Sequence, residues 1–174
     1  MIVTVLGTGS QGNAIVVECD DDRVLIERFV PGRELAVSVL GSEAPWALPV
    51  VEPVLVDRDF YDFEARYTPG LTELHAPADL PDTVAEEAAQ ISLRCYEVLG
   101  CRGFARVDLF LENGSSEILV NEINTIPGFT TISMFPKLWQ AQGISFSQLL
   151  DRLIAYGFDH FAARKENVDE GLGR

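Results

Sequence analysis

Short apolar runs separated by polar and glycine-rich breaks occupy the first third of the chain. Residues 2–6 and 14–18 are rich in β-branched side chains and flank the segment GTGSQGN at 7–13. Two such runs joined by a glycine loop are typical of a β-hairpin. Further short strands are predicted at 24–27, 35–40 and 46–56, the last of them interrupted by two prolines. The segment from 57 to 78 has no regular periodicity and is predicted to be an ordered functional loop.

Two later segments have helical periodicity. The first begins at Pro81 and ends at Gly100. Its predicted buried face consists of Val84, Ala88, Ile91, Cys95 and Val98. The second begins at Ser145, where SFSQ has the form of a capping box. Its predicted buried stripe consists of Phe146, Leu149, Leu150, Leu153 and Ile154. The last residues, ARKENVDEGLGR, are polar, and we expect them to fray.

A hairpin is predicted between these two helices. Phe104–Leu111 and Ile118–Asn124 have the composition of strands, and Asn113-Gly114 is a typical hairpin turn. Arg106 and Asp108 are two residues apart, so they project from the same face of the first strand. Glu122 and Asn124 do the same on the second strand. The hairpin therefore brings two carboxylates and an amide oxygen onto one patch.

Such a patch is chemically suited to magnesium. Carboxylate and amide oxygens without histidine or thiolate are hard ligands, which favour Mg²⁺ over zinc. Magnesium held in this way usually shares its other positions between water and substrate phosphates, so the patch suggests a nucleoside triphosphate. The alternative is that these are solvated side chains on the open face of a sheet.

Composition and charge narrow the class of protein. Hydrophobic residues make up 47% of the 174 residues, which is typical of a folded domain. The 27 acidic residues exceed the 13 basic ones, and the net charge of -14 disfavours nucleic acid and anionic membranes as partners. No apolar stretch has the length of a membrane span, so we expect a soluble cytoplasmic protein. The three cysteines match no zinc pattern and are expected to be reduced thiols.

The opening glycines raise two further hypotheses. Gly7, Gly9 and Gly12 form G-x-G-x-x-G, but a dinucleotide site needs a helix after the third glycine, and a strand-like run follows instead. The run VTVLGTGSQGNAIVVE resembles the first two strands of metallo-β-lactamase-fold hydrolases. That family needs a cluster of histidines, whereas this chain has only His75 and His160, far apart and without an H-x-H-x-D-H motif. Both hypotheses are therefore disfavoured.

The segment NEINTIPGFTTISMFPKLW resembles the C-terminal signature of the D-alanine-D-alanine ligases, members of the ATP-grasp superfamily, and the likeness extends over residues 24 to about 158. It implies an α+β fold: an ATP-grasp C-terminal subdomain, with an antiparallel sheet flanked by helices, preceded here by a glycine-loop β-hairpin. It implies an ATP-dependent ligase that joins two D-alanines for cell-wall peptidoglycan. ATP phosphorylates the carboxylate of the first, and the amine of the second displaces phosphate through a tetrahedral intermediate.

The resemblance assigns roles to the hairpin and to the segment after it. Asp108 and Glu122 would hold one Mg²⁺, and Glu122 with Asn124 a second, with Mn²⁺ as an alternative ion; both ions would bridge the phosphates of ATP. Arg106 and the backbone N–H of Gly128 would stabilise the intermediate. The carboxylate of the second D-alanine would bind to the hydroxyl of Ser133 and to the backbone of Met134.

Upstream segments are similar to the adenine hinge and the mobile loop of the family. In VLIERFVPGRE, Glu27 would accept from the adenine amino group, Phe29 and Val30 would line the base, and Glu34 would bind the ribose hydroxyls. In YDFEARYTPG, Tyr67 matches the tyrosine typical of ligases that join two D-alanines. In the same loop, Arg66 replaces the usual lysine, which keeps the charge and changes its geometry.

The chain also differs from the family pattern. A ligase of this family is much longer, with an N-terminal domain for the first D-alanine and a central region containing two phosphate-binding lysines. The only lysines here are Lys137 and Lys165, neither at a matching place. We therefore expect a hairpin at 1–23, hydrolase-like or replacing the phosphate loop, an ATP-grasp domain at 24–165 and a polar tail at 166–174.

This organisation suggests a truncated or chimeric ligase that at most binds Mg-ATP alone, with a homodimer or a complementing N-terminal half as expected partners. The alternatives are a ligase fragment whose own start has diverged, and a folded scaffold that keeps the hairpin without its chemistry.

Overall fold

The structure is a computed structural model that describes residues 2–6, 14–18, 28–55, 72–130 and 133–171, without the side chains of 2–6, 14–18, 55, 72 and 163–171. The chain divides into two compact units, Met1–Val30 and Pro31–Arg174. In chain order the elements are β1 (Ile2–Leu6), β2 (Ala14–Glu18), β3 (Gly32–Gly41), β4 (Trp46–Ala47), β5 (Glu52–Leu55), β6 (Thr72–His75), α1 (Asp82–Val98), β7 (Gly103–Glu112), β8 (Ile118–Asn124), α2 (Met134–Ala141) and α3 (Phe146–Gly171). None of the described helices is long and apolar enough to cross a membrane.

The first unit contains the predicted N-terminal hairpin. β1 and β2 pair antiparallel, from Ile2 opposite Glu18 to Leu6 opposite Ala14. Both strands have the bounds that their β-branched composition predicts. The glycine loop between them and the strand predicted at 24–27 lie outside the described residues.

The second unit contains a four-stranded antiparallel sheet in the order β4-β3-β7-β8. β3 and β7 pair along their whole lengths, from Gly32 opposite Glu112 to Gly41 opposite Gly103. β5 and β6 form a separate antiparallel pair. Helices cover both faces of the sheet, so the predicted α+β fold with an antiparallel sheet flanked by helices is confirmed.

Alternation along β3 gives the sheet two buried faces. Leu35, Val37 and Val39 belong to the core that includes Ala88 and Tyr96 of α1. Ala36 and Leu40 belong to the opposite core, which includes the following residues of α2 and α3: Phe135, Leu138, Trp139 and Leu149. Helices therefore pack against both faces of the sheet, and on the second face Asp108 is mostly buried while Glu122 of β8 stays exposed.

The helix faces differ in part from those predicted. The most buried residues of α1 are Ala88, Ser92 and Tyr96, whereas Val98 is 77% exposed. The Tyr96 hydroxyl donates to the carbonyl of Gly41 over 2.7 Å, which explains how a polar side chain fits this core. Periodicity therefore located the helix, but tertiary contacts selected a different stripe.

The predicted stripe of α3 is wrong for three of its five residues. Leu149 is buried and Leu153 half-buried, whereas Phe146, Leu150 and Ile154 are 36%, 37% and 57% exposed, although the Phe146 ring still packs against Phe129 at 5.3 Å. The capping box is present: the Ser145 N–H donates to Gln148 Oε1 over 2.8 Å, and the Gln148 N–H donates to Ser145 Oγ over 3.2 Å. The helix continues to Gly171, so most of the segment expected to fray is helical.

Two elements occur where the sequence predicted none. β6 lies inside the segment predicted to be an irregular loop and pairs with β5. α2 begins at Met134 and has Pro136 in its first turn. Proline is tolerated there because the N–H groups of the first turn have no partner within the helix. The short length of each element leaves too little periodicity to detect.

A partly buried ion pair connects β3 to β5. Arg33 donates from Nε and Nη2 to the two carboxylate oxygens of Glu52 over 2.7 and 2.6 Å, and Nη2 also donates to the carbonyl of Asp79. The hydrogen bond from Arg33 holds the pKa of the Glu52 carboxyl below its usual range. The pair therefore fixes the start of β3 against β5 and against the segment that leads into α1.

We predict that Glu52→Gln lowers the free energy of unfolding by about 1 kcal/mol at neutral pH. Since the folded-state pKa of Glu52 is lowered, this contribution is fully present above the unfolded-state value of about 4.3 and is lost as the pH falls through the folded-state value. Urea unfolding at several pH values measures the difference. Glu43→Gln, at an exposed position after β3, is the control. A difference between parent and Glu52→Gln that persists unchanged in acid would contradict the prediction.

Candidate active site

The β7-β8 hairpin is formed as its sequence predicts. Gly114 in the turn has a φ of 88°, which glycine adopts without strain. Asp108 lies opposite Glu122 and Arg106 opposite Asn124. Opposite residues of an antiparallel pair project to the same face, so these four side chains form one patch. The register shifts after Asp108, where Asn121 is the extra residue of a β-bulge.

Arg106 is the centre of this patch. Its Nε and Nη2 donate to the two carboxylate oxygens of Asp108, each over 2.6 Å. Its Nη2 also lies 3.7 Å from Oε1 of Glu122. The side chains of Arg106 and Asp108 are only 12% and 17% exposed. The interpretation of these two residues as solvated side chains on an open sheet face is therefore wrong, whereas Glu122, at 51%, is largely exposed.

Two side chains in the segment after β8 accept hydrogen bonds from the backbone of the same segment. Asn124 Oδ1 accepts from the N–H of Ile126 over 3.1 Å. Ser133 Oγ accepts from the N–H of Thr130 over 2.9 Å and lies 2.8 Å from Thr130 Oγ1. A Cβ on Gly128 would come within 2.9 Å of Ser133 Oγ, so glycine permits this approach. Gly128 and Ser133, predicted to contact the same substrate, are thus neighbours.

Aromatic packing fixes the position of α2. Phe129 lies 5.8 Å from Phe104 and 5.9 Å from Phe135, measured between ring centroids. Trp139 makes an edge-to-face contact with Trp46 at 4.6 Å. Phe135 and Trp139 are almost fully buried. Since α2 is anchored in this core, Ser133 and Met134 at its start are held beside the sheet.

A cleft of about 430 Å³ lies within the second unit, between β3, β7 and the start of α2. Its polar and charged lining residues are Glu34, Arg106, Asp108, Asn121, Thr130, Ser133 and Lys137. Its other lining residues include Gly128, Met134, Pro53, Leu74 and Phe110. Six predicted site residues therefore line one cavity: Glu34, Arg106, Asp108, Gly128, Ser133 and Met134. Glu122 and Asn124 adjoin it across the hairpin.

The donor set beside the cleft fits magnesium. It consists of the carboxylates of Asp108 and Glu122 and the amide oxygen of Asn124, all hard oxygen ligands. Each oxygen of Asp108 accepts one hydrogen bond from Arg106, which leaves further lone pairs available. Among the described residues there is no cluster of three or more histidine, cysteine, aspartate or glutamate side chains.

The other predicted nucleotide and loop residues belong to parts of the chain outside the second unit or outside the described residues. Glu27, Arg66 and Tyr67 lie outside the described residues. Phe29 and Val30 belong to the first unit, where Phe29 is 63% exposed and Val30 is half-buried.

Asn121 and Lys137 also line the cleft, and neither is among the site residues predicted from the sequence. The signal for Lys137 was its position four residues after Ser133, which places the two on one face of a helix once α2 is recognised.

The family described as D-ala D-ala ligase C-terminus matches residues 14–155. The chain belongs to the D-alanine-D-alanine ligase family. It is 48% identical over 139 residues to the D-alanine-D-alanine ligase of Solibacter usitatus, a match that covers 80% of this chain and 42% of the relative. The chain thus spans less than half the length of this curated relative.

Solved structures of the ligase family have the same fold. The D-alanine-D-alanine ligase from Coxiella burnetii matches with a TM-score of 0.68 and 34% identity, over 82% of this chain and 36% of that one. The D-alanine-D-alanine ligase from Bacillus anthracis, complexed with ATP, matches with a TM-score of 0.61 and 30% identity, over 81% and 42%. The assignment to the ATP-grasp C-terminal half is therefore confirmed.

Proposed function

We propose that this chain is the Mg-ATP-binding catalytic domain of a D-alanine-D-alanine ligase. The observation that supports this most is the single cleft lined by Glu34, Arg106, Asp108, Gly128 and Ser133. These residues were assigned from sequence to ribose, phosphate, metal and amino-acid contacts, and they come from separate strands and loops. Groups that contact ATP, its metal ions and the amino acid in one reaction must lie in the same cavity.

In the proposed mechanism, the β7-β8 hairpin binds the metal ions and the phosphates, and the start of α2 binds the amino acid. Asp108, Glu122 and Asn124 hold two Mg²⁺ ions, or Mn²⁺, which when bound neutralise the phosphates of ATP. Arg106 is held in place by Asp108 and contributes a fixed positive charge that stabilises the anionic intermediate in a partly buried site. Ser133 and the backbone of Met134 orient the second D-alanine, so that its amine approaches the acyl carbon.

The proposed adenine, ribose and loop contacts involve further residues. Glu27, Phe29 and Val30 bind adenine, and Glu34 binds the ribose. Arg66 and Tyr67 belong to a loop that closes over the substrates. Arg66 supplies a planar, permanently charged guanidinium where the family pattern has lysine.

For the N-terminal hairpin we propose a role in phosphate binding. The family match begins at Ala14, so β2 lies inside the matched range while β1 precedes it. This favours the hypothesis of a diverged ligase segment over that of a hydrolase-like hairpin. The segment GTGSQGN directly precedes the matched range, and we propose that it occupies the neighbourhood of the phosphate loop, with Ser10 in place of its serine. The proposed partners of the chain are a second copy or a complementing N-terminal ligase half.

The rival hypothesis is a folded scaffold that retains the hairpin without its chemistry. Its two-residue ion pair between Arg106 and Asp108 would then serve stability alone. The cleft favours the ligase domain, because a purely structural pair does not require Glu34, Gly128 and Ser133 to line the same cavity.

We predict magnesium-dependent binding of ATP by the isolated chain. Isothermal titration calorimetry with ATP should give a measurable dissociation constant in the presence of Mg²⁺ and a much weaker one with EDTA. Asp108→Asn, which keeps the size of the side chain, should reduce the difference in ATP affinity between the titrations with Mg²⁺ and with EDTA. The matched control is Asp82→Asn, at the exposed start of α1. No heat at millimolar nucleotide in the parent would favour the scaffold.

A further inference from the structure

Lys137 is an unassigned cation in the wall of the cleft. Four ionisable side chains line this cavity: Glu34, Asp108, Arg106 and Lys137. The charge of Arg106 is matched by Asp108 and lies near a second carboxylate, that of Glu122. In the part of the chain that the structure describes, Lys137 makes neither an ion pair nor a hydrogen bond. Lys137 is exposed, so its charge faces solvent and is available to an anionic ligand.

Lys137 lies at the end of the cleft that is formed by the start of α2. It is the fourth residue of α2 and lies four positions after Ser133, so the two side chains are neighbours on one face of the helix. Both line the cavity, as does Met134 between them. The flexible four-carbon chain of a lysine reaches an anion that is bound beside Ser133.

Helix stability does not explain a lysine here. The first turn of a helix is the positive end of its dipole, where acidic side chains are favourable and basic ones unfavourable. The first turn of α2 contains no acidic residue and does contain Lys137. An anion bound at this end of the cleft would be stabilised by the positive end of the helix dipole and by the charge of Lys137. It would also offset the repulsion between the dipole and the lysine.

We infer that Lys137 binds the carboxylate of the second amino-acid substrate together with Ser133, and so restricts that site to substrates with a free carboxylate. The inference rests on the proposed function. The proposed metal and phosphate contacts belong to β7 and β8, whereas Lys137 and Ser133 belong to the helix side of the cleft.

The test is a binding experiment on the whole chain saturated with Mg²⁺ and an ATP analogue that cannot be hydrolysed. D-alanine and D-alaninamide are titrated separately and followed by NMR chemical shifts, which detect millimolar affinities. The variants are Lys137→Met and Lys137→Arg. Arg94→Met, at an exposed position of α1, is the matched control for loss of one positive charge. Circular dichroism and the melting temperature establish that each variant is folded.

We expect Lys137→Met to raise the Kd for D-alanine at least about tenfold, the range of a lost charge-assisted contact. The Kd of Lys137→Arg for D-alanine should stay within about threefold of the parent value, and the Kd of Arg94→Met should equal the parent value. D-alaninamide should bind equally weakly to the parent and to Lys137→Met, and the nucleotide Kd should be the same for both.

Three results would overturn the inference. If Lys137→Met binds D-alanine as tightly as the parent, Lys137 does not contact the carboxylate, and the proposed ligase function stands. If the nucleotide affinity falls as much as the D-alanine affinity, the lysine serves the phosphates instead. If the parent binds neither nucleotide nor D-alanine, the proposed function fails with the inference.

Discussion

Replacing Glu122 with Gln should raise the Kd for Mg-ATP at least about tenfold, equivalent to about 1.4 kcal/mol. Glu122 lies opposite Asp108 and, by the proposed roles, is shared by both metal ions. The substitution keeps the size of the side chain and removes one negative charge from a site that must balance two divalent cations. Calorimetric titration of the parent and the variant with Mg-ATP measures the difference.

The same substitution should leave stability nearly unchanged. Glu122 is half exposed, and its Oε1 lies 3.7 Å from Nη2 of Arg106, a weak pair whose loss costs less than about 1 kcal/mol. Glu117→Gln removes the same charge from the exposed turn of the hairpin and serves as the control. Equal Mg-ATP affinities for the parent and Glu122→Gln, with both proteins folded, would refute the proposed metal site.

The hairpin that supports this prediction could be found from sequence because its signals are local. Alternating side chains and the Asn-Gly turn predict the bounds of β8 as the structure has them, and a spacing of two places Arg106 and Asp108 on one face. Geometry of this kind requires no knowledge of distant residues. The family resemblance then supplied the neighbouring roles of Gly128, Ser133 and Met134.

Features that depend on tertiary packing were not predictable in this way. The hydrophobic pattern of α3 marks apolar positions but does not indicate how many of its faces are covered, so exposed Ile154 was placed in the core. α2 is short and has Phe135 and Pro136 in its first turn, and the helix is stabilised by the burial of Phe135 and Trp139. Without α2, neither the cleft nor the position of Lys137 could be inferred.

The isolated chain should bind Mg-ATP but make no D-alanyl-D-alanine at a useful rate. Phosphoryl and acyl transfer depend mainly on positioning and on positive charge around the reacting groups. Arg106 is one such charge, but its guanidinium is paired with Asp108, and the chain spans 42% of the ligase relative to which it is 48% identical. The family pattern includes two phosphate-binding lysines that have no counterpart in this sequence. Loss of one electrostatic group typically costs about a hundred- to a thousandfold in rate, and several are lost together here.

The measurement is phosphate release in the presence of ATP, Mg²⁺ and D-alanine, with and without the amino acid, for the parent and for Asp108→Ala. A slow release that does not depend on D-alanine, and that persists in the variant, is background hydrolysis and agrees with the prediction. D-alanine-dependent turnover of about 1 per second or faster, the range of ordinary enzymes, and its loss in Asp108→Ala, would contradict it. The 174 residues would then contain a complete active site, and the N-terminal hairpin would be the first segment to test for the missing phosphate contacts.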